Sequence, residues 1–350
     1  MEKLIYNLDP DEIELALTSW GEPKYRAAQI WKGLYHHLWS TPEQFTTLPL
    51  KLRHKLAKEY RFSNLQLEKV LLSSDGLTEK ILFRLPDEQA IETVLMHYPL
   101  HNRQDRHTAC ISTQVGCAMG CKFCATGQMG FHRHLSSGEI AEQVVYCARQ
   151  LAEEGEQLTN VVVMGMGEPF HNYDATLGAI QRLNHPQGLD MGARRFTIST
   201  VGLVPAIRRF TKENSQINLA ISLHAADDEL RSSMLPINDK YPLHQLIDAC
   251  QEYARKTSRR VTFEWALVRG VNDTPDQAHK LVHLLRGMLA HVNVIPLNPT
   301  KKFIGEATTK RRALAFQAIL QKNGLPCTIR LRRGIKIQAG CGQLAGAQNT

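Results

Sequence analysis

The residues best suited to chemistry lie in one short run, Gly116-Cys117-Ala118-Met119-Gly120-Cys121-Lys122-Phe123-Cys124-Ala125-Thr126-Gly127, where three thiols stand at C-x3-C-x2-C spacing. Three thiolates on so tight a loop make a metal site, and thiolate donors suit zinc or an iron–sulfur cluster. A structural zinc site closes with four ligands, and Cys110, His132 or His134 could supply the fourth, so spacing alone leaves a non-enzymatic zinc-binding protein open. A four-iron cluster on three cysteines would instead keep one iron open to a small molecule, and the loop follows a predicted strand, where α/β folds place ligand sites.

Three further motifs end predicted strands: Val163-Met164-Gly165-Met166-Gly167-Glu168-Pro169, Arg195-Phe196-Thr197-Ile198-Ser199-Thr200-Val201-Gly202 and Ala220-Ile221-Ser222-Leu223-His224-Ala225. Their glycines allow close backbone approach to a ligand, Glu168 can take an amine or ribose hydroxyl, and Ser199, Ser222 and His224 offer directional hydrogen bonds. Each alone reads as ordinary structure. Two outlying cysteines add to the set: Cys110 ahead of the loop, and Cys341 between Gly340 and Gly342 near Arg332, Arg333 and Lys336, where access and positive charge could supply a nucleophilic thiol, although an inert surface cysteine on the tail is the preferred reading of these residues alone. Cys147, Cys250 and Cys327 fall in helix or strand patterns and read as core residues. Glu264, beside Trp265, is either a substrate contact or a satisfied strand-end acid.

These residues need a scaffold. From about Thr108 onward strand-like and helical runs alternate: a strand at Ala109–Val115, a helix at Gly138–Leu151, then Asn160–Met164, Ala175–Leu183, Arg195–Thr200, Val204–Phe210, Asn218–Leu223, Leu243–Ala254, Val261–Val268, Asp276–Leu289, His291–Pro296, Arg311–Asn323 and Cys327–Arg330. Such alternation predicts a parallel sheet covered by helices, and six repeats suit a partial barrel better than an eight-fold one. Ahead of it, residues 1–65 read as a small helical domain. It includes an amphipathic run at Tyr25–Tyr35, a break at Pro49, and a basic set (Lys24, Arg26, Lys32, Lys51, Arg53, Lys55, Lys58, Arg61) that is either a phosphate-tracking surface or a solvated helix face. Residues 66–105 read as a linking β region, with an Asp75-Gly76 hairpin, a third run at Ala90–Met96 and a polar stretch at His101–Arg106. Residues 106–350 form the barrel.

The whole chain has 350 residues, 43% hydrophobic and 22% charged, enough for a sizeable core. Eight cysteines are too few for a disulfide scaffold, and no apolar run suggests a signal peptide or membrane span, so the expectation is a cytoplasmic protein that meets no membrane. A net charge of +8 and a pI near 9.1 point weakly to a polyanionic partner.

Taken together with Asn298 in Ile295-Pro296-Leu297-Asn298-Pro299 and the tail Ala339-Gly340-Cys341-Gly342-Gln343-Leu344, these motifs resemble the RlmN and Cfr family of radical-SAM RNA adenine methyltransferases over nearly the whole chain. The resemblance implies an α/β partial (β/α)6 barrel and a [4Fe-4S] cluster on Cys117, Cys121 and Cys124. It implies S-adenosylmethionine bound by Gly167, Glu168, Ser199, Ser222, Leu223, His224 and Asn298. It further implies that Cys341 carries the methyl group, that Glu92 in Ile91-Glu92-Thr93-Val94 accepts a proton, and that Cys110 forms a transient disulfide with Cys341. A short Glu-Thr-Val match is common, and an exposed strand glutamate is the plain alternative for Glu92. The substrates implied are 23S ribosomal RNA in its peptidyl-transferase region and transfer RNA beside the anticodon, with an external electron donor such as flavodoxin and a monomeric enzyme. Adenine C2 and C8 are not separable from residue chemistry, and Pro169 after Gly167-Glu168 resembles the C2-directed RlmN group.

Overall fold

Capping signals written into the sequence set the first elements. A computed structural model describes residues 3–100, 105–330 and 332–346. After a short strand β1 (Lys3–Leu4), Asp9 caps helix α1 (Pro10–Ser19) in a capping box with Glu12, and Pro10 sits at the first helical position. Helix α2 (Arg26–Tyr35) buries Ile30, Trp31, Leu34 and Tyr35 along one stripe, and α3 (Leu50–Glu59) starts at Pro49 as expected. β2 (Tyr60–Arg61) returns to pair in parallel with β1, a closure the sequence pattern does not announce. Of the basic set, Lys24 and Arg26 are ion-paired to Glu14 and Glu22, and Lys55 lies over the Trp20 ring at 4.6 Å.

Three antiparallel strands follow: β3 (Gln66–Leu72), β4 (Thr78–Arg84) and β5 (Ala90–Tyr98). β5 pairs antiparallel with β6 (Arg106–Cys110), which runs parallel to β9, so this β region is hydrogen-bonded into the barrel sheet. Residues 101–104 of the polar stretch lie outside the described residues, and Arg106 already belongs to β6. The single strand expected over Ala109–Val115 is two. β6 ends at Cys110, the Gln143 side chain accepts the Ser112 N–H, and the chain leaves the sheet to form β7 (Gln114–Gly116), paired with β8 (Phe131–His134). Helix α4 (Ala125–Met129) lies between these two strands.

The alternation then proceeds through α5 (Ser137–Glu153), β9 (Asn160–Val163), α6 (Tyr173–Leu183), β10 (Phe196–Thr200), α7 (Val204–Lys212) and β11 (Asn218–Ser222). It continues with α8 (Asp228–Met234), α9 (Ile237–Lys240), α10 (Leu243–Thr257), β12 (Val261–Leu267), α11 (Pro275–Leu284), β13 (Ala290–Pro296), α12 (Lys310–Lys322) and β14 (Cys327–Ile329). α11 stops five residues short of the expected Leu289, before Gly287 takes a φ of +75°.

The resulting sheet has ten strands in the order β14-β13-β12-β11-β10-β9-β6-β5-β4-β3, parallel from β14 to β6. Period-two alternation divides its faces: Phe263 and Trp265 of β12 are fully buried, with Trp265 against Phe316 of α12, while Glu264 and Ala266 face a central cavity. Residues from β4, β5, β6 and β9 to β13 all line that cavity. Eight flat strands would span about 30 Å, so the sheet must curl around it as a partial barrel. Among the described residues no helix is long and apolar enough to cross a membrane.

Candidate active site

Five cysteines from three distant parts of the sequence, Cys110, Cys117, Cys121, Cys124 and Cys341, line the one cavity inside the curled sheet. The β7–β8 hairpin pins the base of the cysteine loop: the Cys117 N–H donates to Gly130 O at 2.8 Å, and Cys124 stands at the N-cap of α4. On its far side Lys122 N–H donates to Met234 O of α8, so loop and barrel are fixed together. Burial pushes the Cys117 thiol up to about 12 and raises Cys121 and Cys124 as well, with mutual repulsion among the three adding to the rise. Such thiols become thiolates when a cation binds them. Among the described residues no three His, Cys, Asp or Glu side chains gather closely enough for a single metal ion, and the thiols are instead spread along the cavity wall. His134, one candidate fourth zinc ligand, is hydrogen-bonded through Nδ1 to Gln114.

The strand-end motifs reach the same cavity. Gly167 lines it with φ +103°, and a Cβ there would sit 2.6 Å from that of Gln114, so only glycine fits. Glu168 is buried, accepts from Phe170 N–H (3.0 Å) and Val201 N–H (2.8 Å), and is raised by burial to about 7. Ser199 and Ser222 face each other with Oγ atoms 3.4 Å apart. His224 adopts a left-handed φ of +61°, held there by Asn272, whose Nδ2 donates to the His224 and Ala266 carbonyls at 2.7 Å each. Burial lowers its pKa to about 3, and Nδ1 accepts from Ala266 N–H, so the neutral ring presents Nε2–H as its free donor. Leu223 alone of the implied binding residues does not line the cavity. Its side chain is buried in the core and its backbone bonds to Glu264 and Arg231.

Asn298 joins the site to the C-terminal strap, residues 340–346. Its Nδ2 donates to Cys341 O at 3.1 Å, and its Oδ1 is buried without a partner. Cys341 is exposed and Cys110 is buried, its thiol pushed up to about 12 mainly by burial and secondarily by the Cys341 sulfur. The implied disulfide between them is absent; all eight cysteines are free thiols, with the strap holding Cys341 in its exposed position. Glu92 is no exposed strand glutamate: it is buried, ion-paired to Lys80 at 2.9 Å and accepts from Ala345 N–H at 2.8 Å. Glu264 also lines the cavity, with Asn293 Nδ2 donating to both carboxylate oxygens.

Residues 4–61 match the ribosomal RNA large subunit methyltransferase N-terminal domain and residues 111–282 the radical SAM superfamily. The chain is 48% identical to the probable dual-specificity RNA methyltransferase RlmN of Chloroflexus aurantiacus, over 99% of this chain and 93% of that one. It is also 48% identical to dual-specificity RNA methyltransferase RlmN 1 of Myxococcus xanthus, over 97% and 93%. The chain belongs to the RlmN family of radical-SAM RNA methyltransferases. A crystal structure of a radical SAM methyltransferase from Sphaerobacter thermophilus agrees throughout, with TM-score 0.95 and 48% identity over 98% of this chain and 99% of that one.

The RlmN-family cavity fits the cofactors its superfamily uses. Three thiols on one wall suit an iron–sulfur cluster with an open iron, and the orphaned Asn298 Oδ1, the His224 Nε2–H and the serine pair suit a polar ligand such as S-adenosylmethionine. Two charged residues escaped sequence reasoning. Arg231 is fully buried behind the loop, donating to Val201 O, Leu223 O and Asn238 Oδ1, and burial lowers its pKa to about 10. Arg330 follows β14, lines the cavity, and has its proton affinity raised chiefly by the Cys341 sulfur beside it. Its place at a strand end was the available signal.

Proposed function

We propose that this chain methylates C2 of adenine in the peptidyl-transferase region of 23S ribosomal RNA and in transfer RNA beside the anticodon. The observation that carries the reading is the convergence of Cys110 and Cys341 on the cavity wall that also bears Cys117, Cys121 and Cys124. Adenine C2 is electron-poor and gives polar methyl transfer no nucleophile, so a carrier thiol beside a site for one-electron chemistry is a sensible solution. When bound, the cluster and S-adenosylmethionine supply one-electron chemistry and a methyl group.

In this reading Cys117, Cys121 and Cys124 ligate the cluster. Glu168, Ser199, Ser222, His224 and Asn298 hold S-adenosylmethionine against it, with Gly167 shaping the wall and the Leu223 backbone tying Glu264 to Arg231 behind it. Cys341 carries the carbon to the base, with the Arg330 guanidinium beside it. Glu92 takes the proton released from the adduct carbon. Cys110 attacks the Cys341 sulfur to free the product: the S–S bond forms as the Cys341 S–CH2 bond breaks, and the freed carbon keeps that pair and takes up a proton as the methyl group, a step that requires the strap to move. The target adenine must leave its stack to enter the cavity, and the N-terminal cations hold flanking phosphates. An external one-electron donor, a monomeric state and a cytoplasmic location complete the proposal.

The test is nucleoside mass spectrometry after anaerobic incubation of the reconstituted protein with unmodified ribosomal and transfer RNA, S-adenosylmethionine and a reductant. 2-Methyladenosine is expected. 8-Methyladenosine would make the enzyme Cfr-like, and neither product would overturn the substrate assignment. Cys117→Ala should lose iron, acid-labile sulfide and all product.

A further inference from the structure

The ion pair between Lys80 of β4 and Glu92 of β5 has a third member that the proposed reaction leaves unexplained. Both side chains are more than nine-tenths buried, and Nζ lies 2.9 Å from Glu92 Oε1. The other oxygen, Oε2, accepts the Ala345 N–H at 2.8 Å from a residue 253 positions away. One carboxylate therefore joins the cavity-facing side of the sheet to the strap that bears Cys341.

Apart from Leu344, which packs in the core, the strap's remaining attachments are single hydrogen bonds. Ala125 N–H donates to Gly342 O (2.7 Å), Thr126 Oγ1 to Leu344 O (2.6 Å), Asn298 Nδ2 to Cys341 O (3.1 Å) and Gln343 Nε2 to Pro299 O (3.0 Å). For the exposed Cys341 to react with the buried Cys110, several of these must break. When the strap withdraws, Ala345 leaves Oε2, and that oxygen is open to a new hydrogen-bond donor or proton.

We propose that Lys80 and Glu92 form the latch of the strap, Lys80 acting as a positioning residue that holds Glu92 aimed at Ala345, so that Glu92 Oε2 can reach another proton only when the strap lets go. The inference rests on the methyl-carrier reading above. In the step it governs, the proton of the adduct C–H bond passes to the freed Oε2, the bonding pair stays on the adenine ring, and Lys80 holds Oε1 throughout. Base and carrier thiol are thereby coupled: proton removal waits until Cys341 has begun to move toward Cys110.

The test separates methylation of Cys341 from product release. Intact-protein mass spectrometry reads Cys341 methylation, and denaturing gels read RNA covalently attached to the protein. In Lys80→Met, Cys341 methylation is expected to persist while RNA stays trapped on Cys341 and release slows by about tenfold or more, an effect of the size expected when a general base loses its positioning partner. Lys80→Arg, which keeps the cation, should release product as the unaltered enzyme does. Equal loss of methylation and release with no trapped RNA, or a Lys80→Met enzyme that behaves normally, would overturn the latch.

Should Lys80→Met not fold, amide hydrogen exchange at Ala345 tests the latch directly: Glu92→Gln should speed exchange there by roughly tenfold, and unchanged exchange counts against it. If the unaltered enzyme methylates no adenine, the functional reading fails instead, which this experiment detects independently.

Discussion

The two ends of the chain both lie against the barrel, but they are held by different means. The N-terminal helices share the barrel's own core: Tyr6, Trp31 and Tyr35 are essentially unexposed, and Trp31 meets His185 edge-on at 5.1 Å. Polar clamps complete the seam, with Arg182 donating to Asn7 O, Arg149 to Leu38 O and Glu142 accepting from Ser63, Asn64 and Leu65. The strap gives that core one side chain, Leu344, buries Gln343, Ala345 and two glycines beside it, and otherwise hangs on separate hydrogen bonds, with its cysteine exposed. Apolar burial at about 25 cal/mol per Å² resists detachment, whereas a lone hydrogen bond exchanged with water is worth about 1 kcal/mol net. A fixed cap and a releasable strap are what those energies produce, and in the proposed reaction the strap carries the group that travels.

The largest effect should come from breaking the cap. A Cβ at Gly138 would lie 2.6 Å from Asn7 Oδ1 and 2.7 Å from Asn7 N, so Gly138→Val must push the N-terminus off α5. A loss of about 3 kcal/mol, seen as a lower Tm, is expected together with lost RNA binding; an unchanged Tm would mean that the cap is not fixed.

Next is the pH dependence of the seam. Burial raises Glu142 to about 7, well above the unfolded carboxylate range. The contribution of Glu142 to stability is then fully present below about pH 4, declines as pH rises, and is lost, by up to about 3 kcal/mol, once pH passes through 7. Glu142→Gln should therefore show a smaller fall in Tm between pH 5 and 8 than the unaltered protein, and equal falls would remove Glu142 as the cause.

The smallest stability effect belongs to the strap. Gln343 donates to Pro299 O and accepts from Gly340 N–H. Gln343→Ala should cost about 1 kcal/mol or less of stability while changing adenine methylation by roughly tenfold, measured as product per minute. A large drop in Tm would show that the strap is as firmly built in as the cap.

Much of this division was readable beforehand, and where reading stopped has a physical reason. The cysteine loop was legible because its three thiols fall within eight residues, and the barrel because strand and helix periods of two and 3.6 are short-range signals. Glu168, Ser199 and Ser222 were found because strand ends converge in such folds. The split of the expected strand after Cys110 was not legible, because it depends on Gln143 of α5 capturing Ser112 N–H. Nor was the continuity of β5 with β6, since the polar sequence before Arg106 resembles any linker.

The sequence by itself determined the types and spacing of the reactive groups: a three-thiol loop, carboxylates and serines at strand ends, and a glycine-flanked cysteine near the C-terminus. Tertiary structure decided their company. Lys80 beside Glu92, Glu92 beneath Ala345 and Arg330 beside Cys341 join segments up to about 250 residues apart. No local propensity encodes such neighbours; they exist only once burial has curled the whole sheet around one cavity.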